Sequence, residues 1–343
     1  MAARVVTFGE IMLRLSPPGF ERFFQSPVLQ ATFGGGEANV AVSLAQFGLD
    51  SRYVTRVPAN PIGDAALRAL RAEGVDVRFA VRGGKRLGIY FAETGASQRA
   101  STVVYDRAGS AISELKPGDV QWAEVLEGAR WLHVTGITPA LGPAVAEATV
   151  EAVEAARAAG ATVSLDLNYR AKLWTKEQAR QVMRRLAGRA QVVIANEEDI
   201  QATLGIEVRG TDVVSGRLDL AGYRAAAERV CSELGVGTVA ITLRESHSAS
   251  RNGWSAVLFE AAGGRFLEGQ HYDVSVVDRI GGGDSFAAGL IYALVTGREA
   301  QAALRFAIAA SALKQTIPGD FNRVSAAEVD RLAGGDQSGR VQR

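Results

Sequence analysis

At 343 residues, 47% of them hydrophobic and 22% charged, the chain can build a sizeable core in a single α/β body. A formal net charge of +1 gives no electrostatic reason to bind nucleic acid or an anionic membrane surface, and neither is expected as a partner. The only cysteine, Cys231, excludes an internal disulfide, and no run of about 18 apolar residues suggests a membrane span, so a cytoplasmic protein is expected.

Residues 4–8 are a β-branched run closed by Gly9, the pattern of a buried first strand, and Glu10 follows where α/β sheets place ligand-binding groups. From residue 11 to 33 the texture changes to Pro17, Pro18, Gly19 and scattered aromatics, which suggests short strands standing off the main body. Gly34, Gly35 and Gly36 then open a helix running to about Phe47, with Glu37 at its mouth and Asn39 one turn in. Glycines let a backbone approach a ligand closely, and an Asn amide both donates and accepts, which suits a polyol. The alternative is a tight strand-to-helix turn with Asn39 exposed. Residues 52–57 read as a strand, 60–64 as a turn and 65–73 as a helix. Residues 87–93 and 102–107 alternate around a turn, as in a hairpin, with Tyr90, Tyr105 and Arg107 as its inward candidates. Together, 11–33 and 87–111 are expected to form one small β-sheet appended as a lid.

Regular alternation follows. Residues 130–135, 162–166, 191–194 and 238–243 read as strands, and 143–159, 177–187 and 220–234 as helices. Residues 255–259 and 265–267 look like an antiparallel pair, 300–317 like a closing helix and 334–343 like a disordered tail. The expected fold is a doubly wound, mostly parallel sheet with helices on both faces, in one domain over 1–343.

Asp278-Arg279-Ile280-Gly281-Gly282-Gly283-Asp284-Ser285-Phe286 concentrates the chemistry. Three glycines run into an aspartate ahead of a small-residue apolar helix, 286–294. Such a start leaves backbone N–H groups pointing outward at the positive end of the helix dipole, a ready site for phosphate. A carboxylate there suits a general base that takes a hydroxyl proton while the N–H groups hold charge on a transferring phosphoryl group. A helix N-cap aspartate is the alternative. Asp166, Asn168 and Arg170 cluster just after a strand. If Arg107 and Arg170 converge they form a fork suited to a carboxylate, which would select an acidic sugar; two unrelated surface arginines are the alternative. Asn196-Glu197-Glu198-Asp199 offers an amide and three acids that would orient Mg²⁺ through its waters, or simply an acidic helix start. His133, His247 and His271 are widely spaced, so a zinc site is not expected, and His133 reads as a satisfied core histidine. No Walker-type or dinucleotide fingerprint is present.

Two glycine clusters, an acidic strand end and a terminal Gly-Gly-Gly-Asp helix start coincide in one doubly wound chain. Together they resemble the ribokinase-like (PfkB) carbohydrate kinases over nearly the whole length. Phe8-Gly9-Glu10, Gly36-Glu37-Ala38-Asn39, Gly88-Ile89-Tyr90, Tyr105-Asp106-Arg107, His133-Val134-Thr135-Gly136-Ile137 and Asp166-Leu167-Asn168-Tyr169-Arg170 resemble the branch of that family acting on 2-keto-3-deoxygluconate. The resemblance implies Asp284 as base, with Gly281, Gly282 and Gly283 as the anion hole. It places Gly34, Gly35, Gly36, Asn39, Tyr90, Tyr105, Asp166, Asn168, Arg107 and Arg170 on the sugar, the two arginines taking its C1 carboxylate. ATP would be met by Asn196, Arg244, Ser246, Gly283, Ala309 and Asn322, and Mg²⁺ by Asn196 and Asp199 through water. A monovalent cation beside the anion hole also fits the family pattern. The implied reaction is ATP-dependent phosphorylation of the C6 hydroxyl of 2-keto-3-deoxygluconate. The galacto epimer or a neutral sugar such as fructose are the alternative substrates, and a non-catalytic sugar sensor is the alternative class. Open lid edges imply a homo-oligomer, a dimer or higher. Four positions depart from the family pattern: Glu37 in the glycine cluster, Glu10 where neutral-sugar relatives carry Asp, Asp199 for a glutamate, and Leu243-Arg244-Glu245-Ser246 for a glycine-containing nucleotide loop.

Overall fold

The structure is a computed structural model that describes residues 2–208, 220–336, 338 and 339. Its main sheet has nine strands. Asp50–Val54, Arg4–Phe8, Ala129–Thr135, Thr162–Asp166, Val192–Ala195 and Thr238–Ser248 lie side by side, all parallel. Arg251–Glu260 turns back antiparallel on the last of these and pairs in turn with Arg265–Glu268 and Tyr272–Ser275. Because successive side chains of a strand face opposite ways, Val193 enters one hydrophobic core and its neighbours Val192 and Ile194 the other. Helices Pro143–Ala158, Lys176–Ala187 and Leu220–Leu234 cover the first face. Helices Gly36–Gln46, Gly282–Val295 and Ala300–Lys314 cover the second. This is the expected doubly wound α/β layering, and the strand order reverses at Arg4–Phe8, the point where such sheets bind ligands.

A second sheet of four strands is built from Gln30–Gly34, Met12–Ser16, Gly88–Glu93 and Thr102–Asp106, in that order. The two stretches expected to stand off the body therefore do pair with each other, Met12–Ser16 running parallel to Gly88–Glu93.

Several element boundaries differ from the sequence pattern for local reasons. The strand expected over 52–57 divides: Asp50–Val54 stays in the main sheet, while Arg56–Val57 leaves it to pair with Val81–Arg82. The helix expected from 65 starts at Pro61. Asn60 caps it, accepting from the amides of Ile62 at 3.1 Å and Gly63 at 3.0 Å, and proline's missing N–H costs nothing in the first turn. The closing helix ends at Lys314, not 317. A further helix, Ala326–Ala333, follows the closing helix, and its capping box, Ser325 with Glu328, is a start signal carried by the chain itself. Of the tail expected from 334, residues 337 and 340–343 lie outside those described. Cys231 is buried. His133 is a core residue but only half satisfied: its Nδ1 lies 2.8 Å from Ser164 Oγ, and its Nε2 has no partner among the described residues. Burial pushes its pKa down to about 3, so the ring is neutral. No described helix is long and apolar enough to cross a membrane.

Two helices of this fold must come unusually close. Gly289 lies against the neighbouring helix, where an added Cβ would meet the Cα of Ala307 at 2.8 Å. Across the same seam Ser285 Oγ donates to Ala310 O at 3.0 Å and Ser311 Oγ to Gly282 O at 2.7 Å. Gly289→Val is expected to destabilise the protein by about 1–3 kcal/mol through overpacking. Urea denaturation measures this, and an unchanged midpoint would contradict the close-packing account.

Candidate active site

The carboxyl ends of the parallel strands open into a cavity of about 480 Å³. It is bounded on the main-sheet side by Asp166, Asn168, Arg170 and Asn196, and on the small-sheet side by Tyr90 and Tyr105. Helices Gly36–Gln46 and Gly282–Val295 both present their N-termini to it, since Gly36, Asn39 and residues 281–284 line the wall.

The turn at Gly281 decides how Asp284 is used. Gly281 is the N-cap, at φ 85 in the left-handed region that glycine adopts without strain, and no side chain caps the helix. Asp284 is therefore not a cap but a first-turn residue. Its Oδ2 accepts from Asn39 Nδ2 at 2.7 Å across the two helix mouths. Burial pushes its pKa up to about 6, while the Asn39 hydrogen bond pulls the other way, Asp320 adds to the rise, and Arg170 and Lys314 oppose it. The Gly282 amide turns back to Arg279 O at 3.2 Å. The amides of Gly283 and Asp284 are next in the first turn, where a helix offers no internal acceptor. Of Gly281, Gly282 and Gly283, expected to form the anion hole, Gly282 thus has its amide engaged within the turn. An added Cβ on Gly283 would meet nothing within 4 Å, whereas one on Gly281 would lie 2.3 Å from Asp320 O.

Asp320 and Arg14 were missed in the sequence. Arg14 Nη1 donates to Asp320 Oδ1 at 2.8 Å and Nη2 to Asp278 Oδ2 at 2.6 Å, all three groups buried. Tyr90 donates to Asp320 Oδ1 at 2.6 Å, and Asn39 Nδ2 reaches Asp320 Oδ2 at 3.4 Å. Asn39 is buried rather than exposed, and its amide bridges Asp320 and Asp284. A signal for Arg14 existed: it is in phase with buried Met12 along an alternating strand. Asp320 follows a Pro-Gly turn and carried none.

The acidic groups divide between wall and support. Glu37 is not at the mouth. It lies fully behind the wall, accepting at Oε1 from the Thr135 amide at 3.0 Å, Thr135 Oγ1 at 2.8 Å and Thr138 Oγ1 at 2.7 Å. Burial raises its pKa to about 6. Gly9 must be glycine because a Cβ there would sit 2.1 Å from Glu37 Oε2. Glu10 is also buried and pairs with Arg107, whose Nε donates at 2.9 Å, and with Ser110 Oγ at 2.6 Å. Arg107 lines the cavity over the Tyr105 ring, 5.4 Å from its centroid, but its charge is already matched. Arg170 also lines the cavity, and its charge acts on Asp166, Asp199 and Asp284. The two arginines are thus brought to one cavity, neither being a surface residue free of partners. Burial, followed by the charges of Asp199 and Asp284, pushes the Asp166 carboxyl well above the usual range. Asn168, beside it, holds a left-handed φ of 35.

Asn196 and Asp199 hold each other. The Asp199 amide donates to Asn196 Oδ1 at 2.8 Å, and Asn196 Nδ2 donates to Asp199 Oδ2 at 3.0 Å. Burial pushes Asp199 up to about 6 against the pull of Arg170. Both line the cavity with Glu197 and Glu198. No trio of His, Cys, Asp or Glu among the described residues is placed to grip a metal directly. This donor set fits a hydrated Mg²⁺ met through its waters, not a caged ion.

Four expected contacts lie elsewhere. Gly34 is not on the cavity wall; its missing side chain makes room for Asp320, whose Oδ2 would lie 2.1 Å from a Cβ. Ala309 is fully buried in the helical core, and Asn322 is buried with its Nδ2 donating to Ser285 Oγ at 2.7 Å. Ser246 is exposed at a second cleft. Arg244, in contrast, does line the main cavity, because Thr238–Ser248 runs five residues past its expected end and carries Ser246 beyond.

A family model described as pfkB family carbohydrate kinase matches residues 2–324. The chain is 34% identical over 337 residues to a 2-dehydro-3-deoxygalactonokinase from Haloferax volcanii, 98% of each chain being covered. It is 29% identical over 326 residues to a 2-dehydro-3-deoxygluconokinase from Bacillus subtilis, with 94% of this chain and 92% of the relative covered. The crystal structure of a 2-dehydro-3-deoxygluconokinase from Thermotoga maritima matches with a TM-score of 0.92 at 52% identity, over 97% of this chain and 100% of that one.

Two predictions follow from the geometry of the turn. Gly283→Ala should leave the melting temperature unchanged or slightly higher, since alanine favours a helix by up to about 1 kcal/mol, yet lower kcat by crowding the open space above the first turn. Gly281→Ala should lower the melting temperature instead, and the reverse ranking would refute this reading of the turn. A base at Asp284 would act only when ionised, so with that role kcat/KM should fall as pH drops through about 6. Asn39→Ala removes a hydrogen bond that favours ionisation and should move that acid limb to higher pH; an unmoved limb would assign it to another group.

Proposed function

The chain belongs to the pfkB family of carbohydrate kinases, phosphotransferases acting on a sugar hydroxyl, and we propose that it transfers the γ-phosphoryl group of ATP to the C6 hydroxyl of 2-keto-3-deoxygluconate. In this reading the sugar's O6 attacks the γ-phosphorus, the bond to the β-phosphate oxygen breaks, and ADP leaves with that electron pair. Asp284 receives the hydroxyl proton, and the Gly283 and Asp284 amides meet the charge on the transferring group. The single observation that carries the reading is the Asp284 carboxylate itself. It sits in the first turn of an uncapped helix mouth, turned to Asn39 instead of closing its own helix.

Arg107 and Arg170 supply cations for the sugar's C1 carboxylate, with Tyr90 and Tyr105 on the same side. Asp166, whose protonated form burial favours, is suited to donate to a sugar oxygen or a phosphate. Arg244, Asn196 and Asp199 lie toward the nucleotide in this reading. Mg²⁺, held through water by Asn196 and Asp199, would neutralise phosphate charge. The small sheet serves as a lid that keeps water from the phosphoryl group. The names of the Bacillus subtilis and Thermotoga maritima proteins support the gluco acid. The Haloferax volcanii relative, similar over the full length, supports the galacto epimer as the second reading.

ADP release measured across both epimers, fructose and other neutral sugars tests the assignment. The gluco acid is expected to give the highest kcat/KM. A higher value for the galacto epimer selects the second reading, and a higher value for fructose refutes an acid-sugar site. Asp284→Asn should lose at least about two orders of magnitude in kcat, and near-normal turnover in that variant refutes the base.

A further inference from the structure

One buried charge takes no part in the chemistry outlined above. Lys314, the last residue of helix Ala300–Lys314, is fully buried beneath the Gly281 turn. A Cβ added to Gly281 would lie 3.1 Å from its Cε. The nearby carboxylates of Asp278 and Asp320 are both taken by Arg14. The Lys314 ammonium donates instead to two backbone carbonyls, Asp278 O at 3.2 Å and Ile317 O at 3.3 Å.

This is an unusual way to bury a lysine. An ammonium out of water normally needs a paired carboxylate, and a neutral residue of the same length would fill the space at lower cost. Two features of the surroundings call for a positive charge. Asp278 and Asp320 bring two negative charges into a buried cluster where Arg14 supplies one positive, and the ammonium supplies the second. The helix end, with the Asp278 and Ile317 carbonyls, adds the negative ends of several peptide dipoles. A compact single charge held by backbone carbonyls is also how proteins coordinate potassium, whose hydration shell such oxygens replace. Ammonium and potassium ions are similar in size and charge.

We propose that Lys314 is a tethered monovalent cation: its ammonium does beneath the phosphate-holding turn what a small bound ion would do, so the protein needs none from solution. The proposal rests on reading the Gly281–Asp284 turn as the phosphoryl site. Lys314 is a positioning residue. By joining Asp278 O to Ile317 O it fixes the two segments that carry the turn and Asp320. Its charge also draws the Asp284 carboxyl back toward ionisation.

The test compares potassium, ammonium, sodium and tetramethylammonium chlorides at constant ionic strength, with ADP quantified directly by chromatography. Intact protein should turn over equally in all four. Lys314→Met should lose about tenfold to a hundredfold in kcat in tetramethylammonium and regain most of it, saturably, with potassium or ammonium. Its melting temperature without substrates should likewise rise in potassium over tetramethylammonium, a readout that no error in the sugar assignment can move. Lys314→Gln carries the same comparison if the Met variant does not accumulate folded, and folding of either variant only in potassium supports the proposal. Activation of the intact protein by potassium overturns it, as does a variant whose rate and melting are indifferent to the cation.

Discussion

A guanidinium buried between two carboxylates holds the catalytic end of this molecule together. Arg14 belongs to the small sheet, while Asp278 and Asp320 flank the glycine turn and the last core helix, 264 and 306 positions away in the chain. A buried ion pair contributes little net stability over an apolar replacement, but losing one partner strands a charge and is costly. The consequence is positional. Small sheet, glycine turn and closing segment are locked at one point, and from Asp320 the lock passes through Asn39 to Asp284.

The same electrostatic logic shapes the cavity. Asp284, Asp199 and, behind the wall, Glu37 are each raised to about 6 by burial, and burial holds Asp166 well above the usual carboxylate range. A wall of fully ionised acids would repel an anionic nucleotide. Burial shifts each of these groups toward its neutral form. The arginines answer in kind: Arg107 is matched to Glu10, and Arg170 is shared among three carboxyl groups. Tempering the acids in this way suits a site that must accept a charged nucleotide and then release charged products.

Length, composition and the alternation of strands with helices determined the doubly wound sheet, because periods of 2 and 3.6 residues are local properties of a chain. The two glycine clusters and the acidic strand ends were legible for the same reason, and most of the residues they nominated do meet at one cavity. Others were misplaced where a glycine or a polar group answers to a distant neighbour. Gly34 makes room for Asp320, Glu37 turns back to Thr135 and Thr138, and Asn322 reaches Ser285. Whether Asp284 caps its helix or lines the cavity could not be read from its own segment, since both uses have the same local spelling. Tertiary structure decided it, by bringing Asn39 to the carboxylate and leaving Gly281 to close the helix. The roles of Arg14, Lys314 and Asp320 were decided there too: a buried charge is defined by its partners, and theirs lie hundreds of positions apart or in backbone carbonyls that no side-chain pattern announces.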